Sequence, residues 1–273
     1  MINIRKSMVK FEFNPENIFL GFVSHGISWP YNYGHLNHQY INILSDLGIQ
    51  RHVFLEKQEQ YYAEIQRDFN REPYLALKYL AMVKRPELIE DFVVNGRLGD
   101  QAISVLTKLR KRAFMLEKSS GTEEGINYKY SKAGKLNFPI ENSRNVFGVC
   151  DISGTLKPGT CFYQPTVLGT AKIITGPVIV VKSPCYHSGD LRKLNCVDNQ
   201  NLRHLVDCVV FPTQGERPVS DEIAGSDLDG DKYFICWDED LIPERTQQPI
   251  SNVTTHPSEP IPRQLESAKP VGQ

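Results

Sequence analysis

No apolar run in this chain of 273 residues approaches the ~18 needed to cross a bilayer, and no signal-peptide pattern or lipidation motif is present. Neither a membrane-spanning nor a secreted protein is expected, and the chain reads as soluble and intracellular, cytoplasmic or nuclear. The six cysteines, Cys150, Cys161, Cys185, Cys196, Cys208 and Cys236, form no Cys-x-x-Cys pair, and no histidine spacing completes a zinc site. They sit mostly in apolar runs, which is the pattern of buried free thiols in a reducing compartment. An overall basic excess is also missing, since the formal net charge is −1. Any nucleic-acid surface must then be a local groove rather than a whole-molecule field. No internal repeat is evident.

What is there centres on one stretch, Ala224-Gly-Ser-Asp-Leu-Asp-Gly-Asp231, followed at once by the apolar Tyr233–Trp237. In extended chain Asp227, Asp229 and Asp231 alternate onto one side. Gly225 and Gly230 let the backbone bend so that the three carboxylates converge. Converging anions repel, and a hard divalent cation relieves the conflict; magnesium suits a compact carboxylate site open to water and phosphates. An acidic turn before a strand is also an ordinary surface feature. An EF-hand would need Gly at its sixth position and a bidentate Glu at its twelfth. Counted from Asp227 those positions are Lys232 and Asp238.

Along the chain, Val9–Phe13 and Ile18–Val23 read as strands, and residues 40–47 as a helix closed by Gly48. The polar cluster Leu36-Asn-His-Gln39 reads as a helix start, hence capping. From Glu56 to Arg112 apolar residues recur three and four apart, with breaks at Pro73 and Pro86 and a last helix over about 99–114. Its Lys108-Leu-Arg-Lys-Arg112 run is either a phosphate contact or a solvated helix face. The organisation expected is a mixed segment over 1–50, a helical connector over 51–116, a polar loop over 117–144, a β-barrel over 145–242 and a tail without packed structure over 243–273. Strands are expected at 146–150, 160–163, 171–175, 178–181, 205–211 and 233–237, separated by Gly/Pro turns.

Four ordered segments carry a resemblance. Phe147-Gly-Val-Cys-Asp-Ile-Ser-Gly-Thr-Leu-Lys-Pro-Gly159 has an Asp-x-x-Gly-x-Leu-x-x-Gly core. Val180-Val-Lys-Ser-Pro-Cys-Tyr-His-Ser-Gly-Asp-Leu-Arg192 is similar to a Lys-Asn-Pro-Cys-Leu-His-Pro-Gly-Asp-x-Arg block. Asp207-Cys-Val-Val-Phe-Pro-Thr-Gln-Gly-Glu-Arg-Pro218 and Gly225–Asp231 follow in the same order. Together they resemble the cell-encoded eukaryotic RNA-dependent RNA polymerases, the enzymes of RNA silencing. The resemblance spans roughly residues 5–243 and is strongest from 146 on, with looser echoes at Lys6-Ser-Met8 and Leu36–Gln39. Ser183 and Ser188 stand where the family usually has Asn and Pro. Family members are several times longer, so the chain reads as a catalytic-core fragment.

That resemblance implies an α+β fold, with a double-psi β-barrel catalytic domain preceded by a largely helical segment. It implies Asp227, Asp229 and Asp231 as catalytic and metal-binding residues. The reaction would be RNA-templated nucleotidyl transfer from NTPs on single-stranded RNA, by a two-metal magnesium mechanism in which one ion arrives with the NTP. The product would be double-stranded RNA, with RNA-silencing proteins as partners and no membrane. Lys182, Arg192 and Arg217 are the candidate substrate cations, with an ion pair to Asp190 or Glu216 as the other reading of the arginines. His187 and Asp190, like Gly225 and Gly230, are expected to orient loops. Tyr233 and Trp237 can stack on bases, but their alternation marks them as barrel residues first. Two other readings stay open: an incomplete, inactive polymerase fragment, and a calcium-binding or Asp-x-Asp glycosyltransferase protein.

Overall fold

A computed structural model describes residue 28 and residues 31–120, 137–167 and 169–250. The strands expected at Val9–Phe13 and Ile18–Val23, the echo at Lys6–Met8 and the tail beyond residue 250 lie outside the described residues. A short sheet comes first, β1 (Gly34–Asn37) paired antiparallel with β2 (Asn137–Ile140). Helix α1 (His38–Asp46) follows β1 directly, because the Asn37 side chain accepts the Tyr40 amide at 3.0 Å as an N-cap. Four helices then form the connector: α2 (Arg51–Gln66), α3 (Pro73–Met82), α4 (Pro86–Asn95) and α5 (Asp100–Ser120). Pro73 and Pro86 each open a helix, where a missing amide costs nothing. Helix α5 runs past the predicted end at about 114, as the helix-favouring Glu117 and Lys118 allow. Among the described residues no helix is long and apolar enough to cross a membrane.

The second half closes into a barrel. Its strands are β3 (Ser143–Cys150), β4 (Thr160–Tyr163), β7 (Gly176–Lys182), β8 (Arg192–Cys196), β9 (Cys208–Phe211) and β10 (Lys232–Cys236), in the order β10-β3-β9-β4-β8-β7. A small hairpin, β5 (Thr166–Val167) with β6 (Thr170–Ala171), stands outside it. Two contacts are parallel, β3 with β9 and β4 with β8, and the other four antiparallel. Exchanging β3 with β8, β4 with β9 and β7 with β10 leaves every neighbour and every direction unchanged. The wiring is thus two interlocked three-strand halves, the double-psi arrangement, and the fold is α+β with the helical segment ahead of the barrel.

Side chains alternate across the barrel wall as a period of two requires. Val178, Val180, Tyr233 and Ile235 point inward with Val146, Tyr163, Val209 and Phe211. Ile179, Val181, Phe234 and Cys236 point outward, where α1, β1 and β2 cover them with Leu36, Tyr40, Ile43, Leu44, Phe138 and Ile140. The connector has its own core around Ile65, Phe69, Tyr79, Leu80 and Leu106. Arg110 ties its helices together, donating to the Ile65 and Arg67 carbonyls at 3.0 and 2.7 Å and lying over the Phe69 ring. All six cysteines are free thiols.

One expected strand is corrected, and three strands escape the sequence. The strand expected at 171–175 is absent: β6 ends at Ala171, and Lys172 and Ile174 make only isolated amide bonds to Pro165 and Tyr163. Strand β8 was not expected, because Arg-Lys-Leu-Asn-Cys offers only two apolar side chains, Leu194 and Cys196, both of which face the interior. Strands β1 and β2 were also missed; β2 contains Pro139, which an edge strand tolerates.

Candidate active site

The strand directions gather the site. Strands β3, β7 and β9 run toward one end of the barrel, and β4, β8 and β10 start there. Three connections therefore meet at that mouth: 151–159, 183–191 and 212–231. These are the segments that carry the family-like motifs. Two half-open pockets, of about 250 and 280 Å³, lie elsewhere, between the helical connector and the opposite end of the barrel. The mouth is instead an open, charged surface, which suits a polymeric or phosphate-bearing substrate.

The aspartate loop enters β10 after a one-turn helix, α6 (Val219–Glu222). Ala224 and Gly225 adopt left-handed backbone at φ 52° and 60°, and Gly230 sits at φ 139°, which only glycine adopts without strain. The loop curls on itself: the Asp229 amide donates to Asp227 Oδ1 at 3.2 Å, and the Asp227 amide to Asp231 Oδ2 at 3.1 Å. Asp227 and Asp229 are exposed and Asp231 half-buried. Lys182, at the end of β7, places its ammonium 2.7 Å from Asp231 Oδ2. Among the described residues no three ligating side chains converge closely enough to form a metal cage. The donor set still fits a hard divalent cation: three carboxylates on a glycine-flanked loop, all close enough to act electrostatically on the Tyr233 phenol. Strand β10 begins at Lys232, where an EF-hand loop would have to continue.

The floor beneath the loop is built from Tyr233, which the sequence marks as a barrel residue, and from Gly148, Phe211, Ser226 and Leu228, which it does not mark individually. A Cβ on Gly148 would meet the Tyr233 ring at 2.6 Å, Phe211 at 2.9 Å and Leu228 at 3.0 Å. Glycine is what lets the loop settle on the barrel wall. Tyr233 is fully buried, and its hydroxyl donates to the Asp227 carbonyl at 2.7 Å and lies 2.8 Å from Ser226 Oγ. Burial pushes its phenol up to about 12, against the lowering effect of the Ser226 hydrogen bond, so it is a protonated donor at neutral pH.

The other predicted residues fall into two groups. His187 and Asp190 form a capping box around a short 3-10 turn: His187 Nδ1 accepts the Gly189 amide at 2.9 Å, and Asp190 accepts the amides of Tyr186 and His187. The arginines pair with α6 rather than with Asp190 or Glu216. Arg192 lies 3.6 Å from Glu222, and Arg217 holds both the carboxylate and the carbonyl of Asp221. Both also grip the segment that follows the barrel, Arg192 through the Gln247 carbonyl at 3.1 Å and Arg217 through that of Ile250 at 2.7 Å. The tail through residue 250 has no helix or strand, yet it lies along the mouth as a strap.

Residues 1–271 match the family model described as RNA dependent RNA polymerase. The chain belongs to the RNA-dependent RNA polymerase family. It is similar to RNA-dependent RNA polymerase 1 of Arabidopsis thaliana, with 35% identity over 257 residues, 91% of this chain and 21% of the relative. It is also similar to a probable RNA-dependent RNA polymerase 1 of Oryza sativa, with 33% identity covering 95% of this chain and 33% of the relative. The chain thus spans a fifth to a third of the length of these polymerases. Among solved structures, the QDE-1 RNA dependent RNA polymerase from Thielavia terrestris aligns over 79% of this chain and 26% of its own, with TM-score 0.47 and 23% identity. Two acidic motif residues of this chain serve structure. Asp151 is buried and accepts amides from Ser153, Thr155 and Leu156, and Asp207 binds the Thr166 amide and hydroxyl at 2.7 Å each. In sequence each stands alone, unlike the alternating Asp227, Asp229 and Asp231, and in the structure both are buried where Asp229 is exposed.

Proposed function

We propose that this chain supplies the aspartate-bearing barrel of an enzyme that copies single-stranded RNA into RNA, adding nucleotides from NTPs. The observation that carries the reading is the gathering of the motif loops and Asp227, Asp229 and Asp231 at one open mouth of the barrel. Polymerases of this family use divalent metals, and the three aspartates would hold magnesium here. Bound there, magnesium would acidify the attacking 3′-hydroxyl, and a second ion arriving with the NTP would neutralise the leaving pyrophosphate. The chain's own work is positioning. The loop presents carboxylates on a rigid wall, and Lys182 sets a cation beside Asp231 within reach of incoming phosphate. Arg192 and Arg217 reach substrate only if the strap and the α6 acids release them. The double-stranded product would feed RNA silencing with its protein partners, in cytoplasm or nucleus.

The test compares the chain with Asp229→Ala in labelled-NTP incorporation on a single-stranded RNA template with magnesium, and in Mn²⁺ binding. We expect both signals to fall to background in the variant. Incorporation or ion binding that survives Asp229→Ala unchanged would sink the reading.

A further inference from the structure

Beneath the aspartate loop lies a buried chain of hydroxyls with fewer protons than contacts. Ser226 is 3% exposed and Tyr233 fully buried. Three oxygen–oxygen contacts link them to the backbone: Tyr233 Oη to the Asp227 carbonyl at 2.7 Å, Tyr233 Oη to Ser226 Oγ at 2.8 Å, and Ser226 Oγ to the Ser220 carbonyl. Each hydroxyl carries one proton and each carbonyl carries none. Two protons therefore serve three contacts. In one polarity Ser226 donates to Tyr233, and Tyr233 donates to the Asp227 carbonyl. In a second, Tyr233 donates to Ser226 and Ser226 to Ser220, whose carbonyl already accepts the Ile223 amide at 3.0 Å; in a third, both hydroxyls donate to their carbonyls and the Tyr233–Ser226 contact carries no proton.

We propose that Tyr233 and Ser226 are positioning residues for the aspartate loop, a hydroxyl relay whose forward polarity pins the Asp227 carbonyl and thereby sets where the carboxylates stand for a divalent cation. The ring of Tyr233 belongs to the barrel core, edge-on to Phe211 at 5.0 Å, and is held from below by the space at Gly148. Its hydroxyl alone leaves that core to reach the loop. The anchor is thus covalently part of β10, so the loop inherits the rigidity of the barrel wall. The Ser220 contact ties the same relay to α6, whose acids hold Arg192 and Arg217. Loop and helix thus share one buried junction, and both arginines pair with that helix at its half-buried margin.

The inference rests on the aspartates binding a cation, and its test separates the two claims. Tyr233→Phe keeps the ring and removes the donor; Ser226→Ala removes the reverse polarity and leaves Tyr233 donating to Asp227. Amide hydrogen exchange of residues 227–231 is measured in the metal-free chain, and Mn²⁺ affinity by electron paramagnetic resonance, with the melting temperature as control. In Tyr233→Phe we expect exchange at Asp229 and Asp231 to quicken about tenfold and Mn²⁺ affinity to fall by a similar factor, the scale of one net hydrogen bond. Exchange of β3 and β10 amides should stay as in the parent. Ser226→Ala should change both readouts less. Unchanged loop exchange in Tyr233→Phe, or loop and barrel quickening equally, would overturn the proposal. Faster loop exchange in a chain whose parent form binds no Mn²⁺ would uphold the positioning role and discard the cation reading instead.

Discussion

Lys182 and Asp151 show how single residues at the mouth divide between charge balance and architecture. The Lys182–Asp231 pair is about one-fifth exposed on each side, so its worth to stability is modest, ~1 kcal/mol or less. Its larger effect is competition: an ammonium on Asp231 occupies the charge that a divalent cation would take. In Lys182→Met we expect a slightly lower melting temperature without metal and a larger magnesium-induced rise than in the parent. A smaller rise would mean that Lys182 helps to hold the ion site together. Asp151 behaves differently. Burial pushes its carboxyl up, but hydrogen bonds from Ser153 and from the amides of Leu156, Thr155 and Ser153 outweigh that and hold it below the usual aspartate value. A lowered folded value means stability that is fully present above the unfolded value, ~3.9, and lost as pH falls through the folded one. Acid unfolding below about pH 4 should therefore be shallower in Asp151→Asn, which should already be less stable at neutral pH by ~1–3 kcal/mol. Chemical denaturation across pH 2.5–7 (roughly the span that brackets carboxylate titration) checks both limbs.

Elements meet at the mouth through two close approaches that only glycine permits. At Gly148 an added methyl has nowhere to go but into Tyr233 and Leu228. Gly148→Ala should cost ~1–3 kcal/mol and shift the aspartate loop, so that Mn²⁺ binding falls more than the melting temperature implies. At Gly189 a Cβ would run into the Gln248 carbonyl of the strap. Gly189→Ala should lift residues 243–250 while leaving the barrel folded, seen as faster trypsin cleavage after Arg245. Cleavage at the parent rate would mean that the strap is held by its side-chain contacts, Arg192, Lys193 and Arg217 among them, and not by the close approach at Gly189. Neither glycine announces itself in sequence. Short β-rich runs between Gly/Pro turns made β3, β4, β7, β9 and β10 legible, Pro73 and Pro86 marked the breaks between helices, and Asp227, Asp229 and Asp231 stood out by spacing. Strand β8 was hidden because three of its five residues are charged or polar, and a parallel partner such as Thr160 for Asn195 is set by closure of the whole barrel. The engagement of Arg192 by Glu222 was illegible for the same reason, since Glu222 reaches it only once the chain has turned back over the mouth, whereas Arg217 meets Asp221 locally, four residues on.

The whole molecule gives the mouth a charge problem that its sequence-wide balance conceals. With formal net charge −1 there is no general attraction for RNA. Locally the three aspartates and the two α6 acids outnumber Lys182, Arg192 and Arg217, and each of those bases is already engaged by a carboxylate. A polyanion approaching this end meets net repulsion until divalent cations bind. Fluorescence anisotropy of a labelled single-stranded RNA should therefore show negligible affinity in a chelator, affinity that rises with magnesium, and loss of that rise in Asp229→Ala. Raising monovalent salt should weaken the magnesium-dependent part with a shallow slope, ~0.7 per phosphate contacted. The alternative surface is the exposed face of α5, where Lys108 and Lys111 point to solvent while Arg110 is spent on helix packing. Binding through that face would need no magnesium, would ignore Asp229→Ala, and would fall when Lys108 and Lys111 are replaced by glutamine. The two patterns share no outcome, so one titration series assigns the RNA to the barrel mouth or to the helical connector.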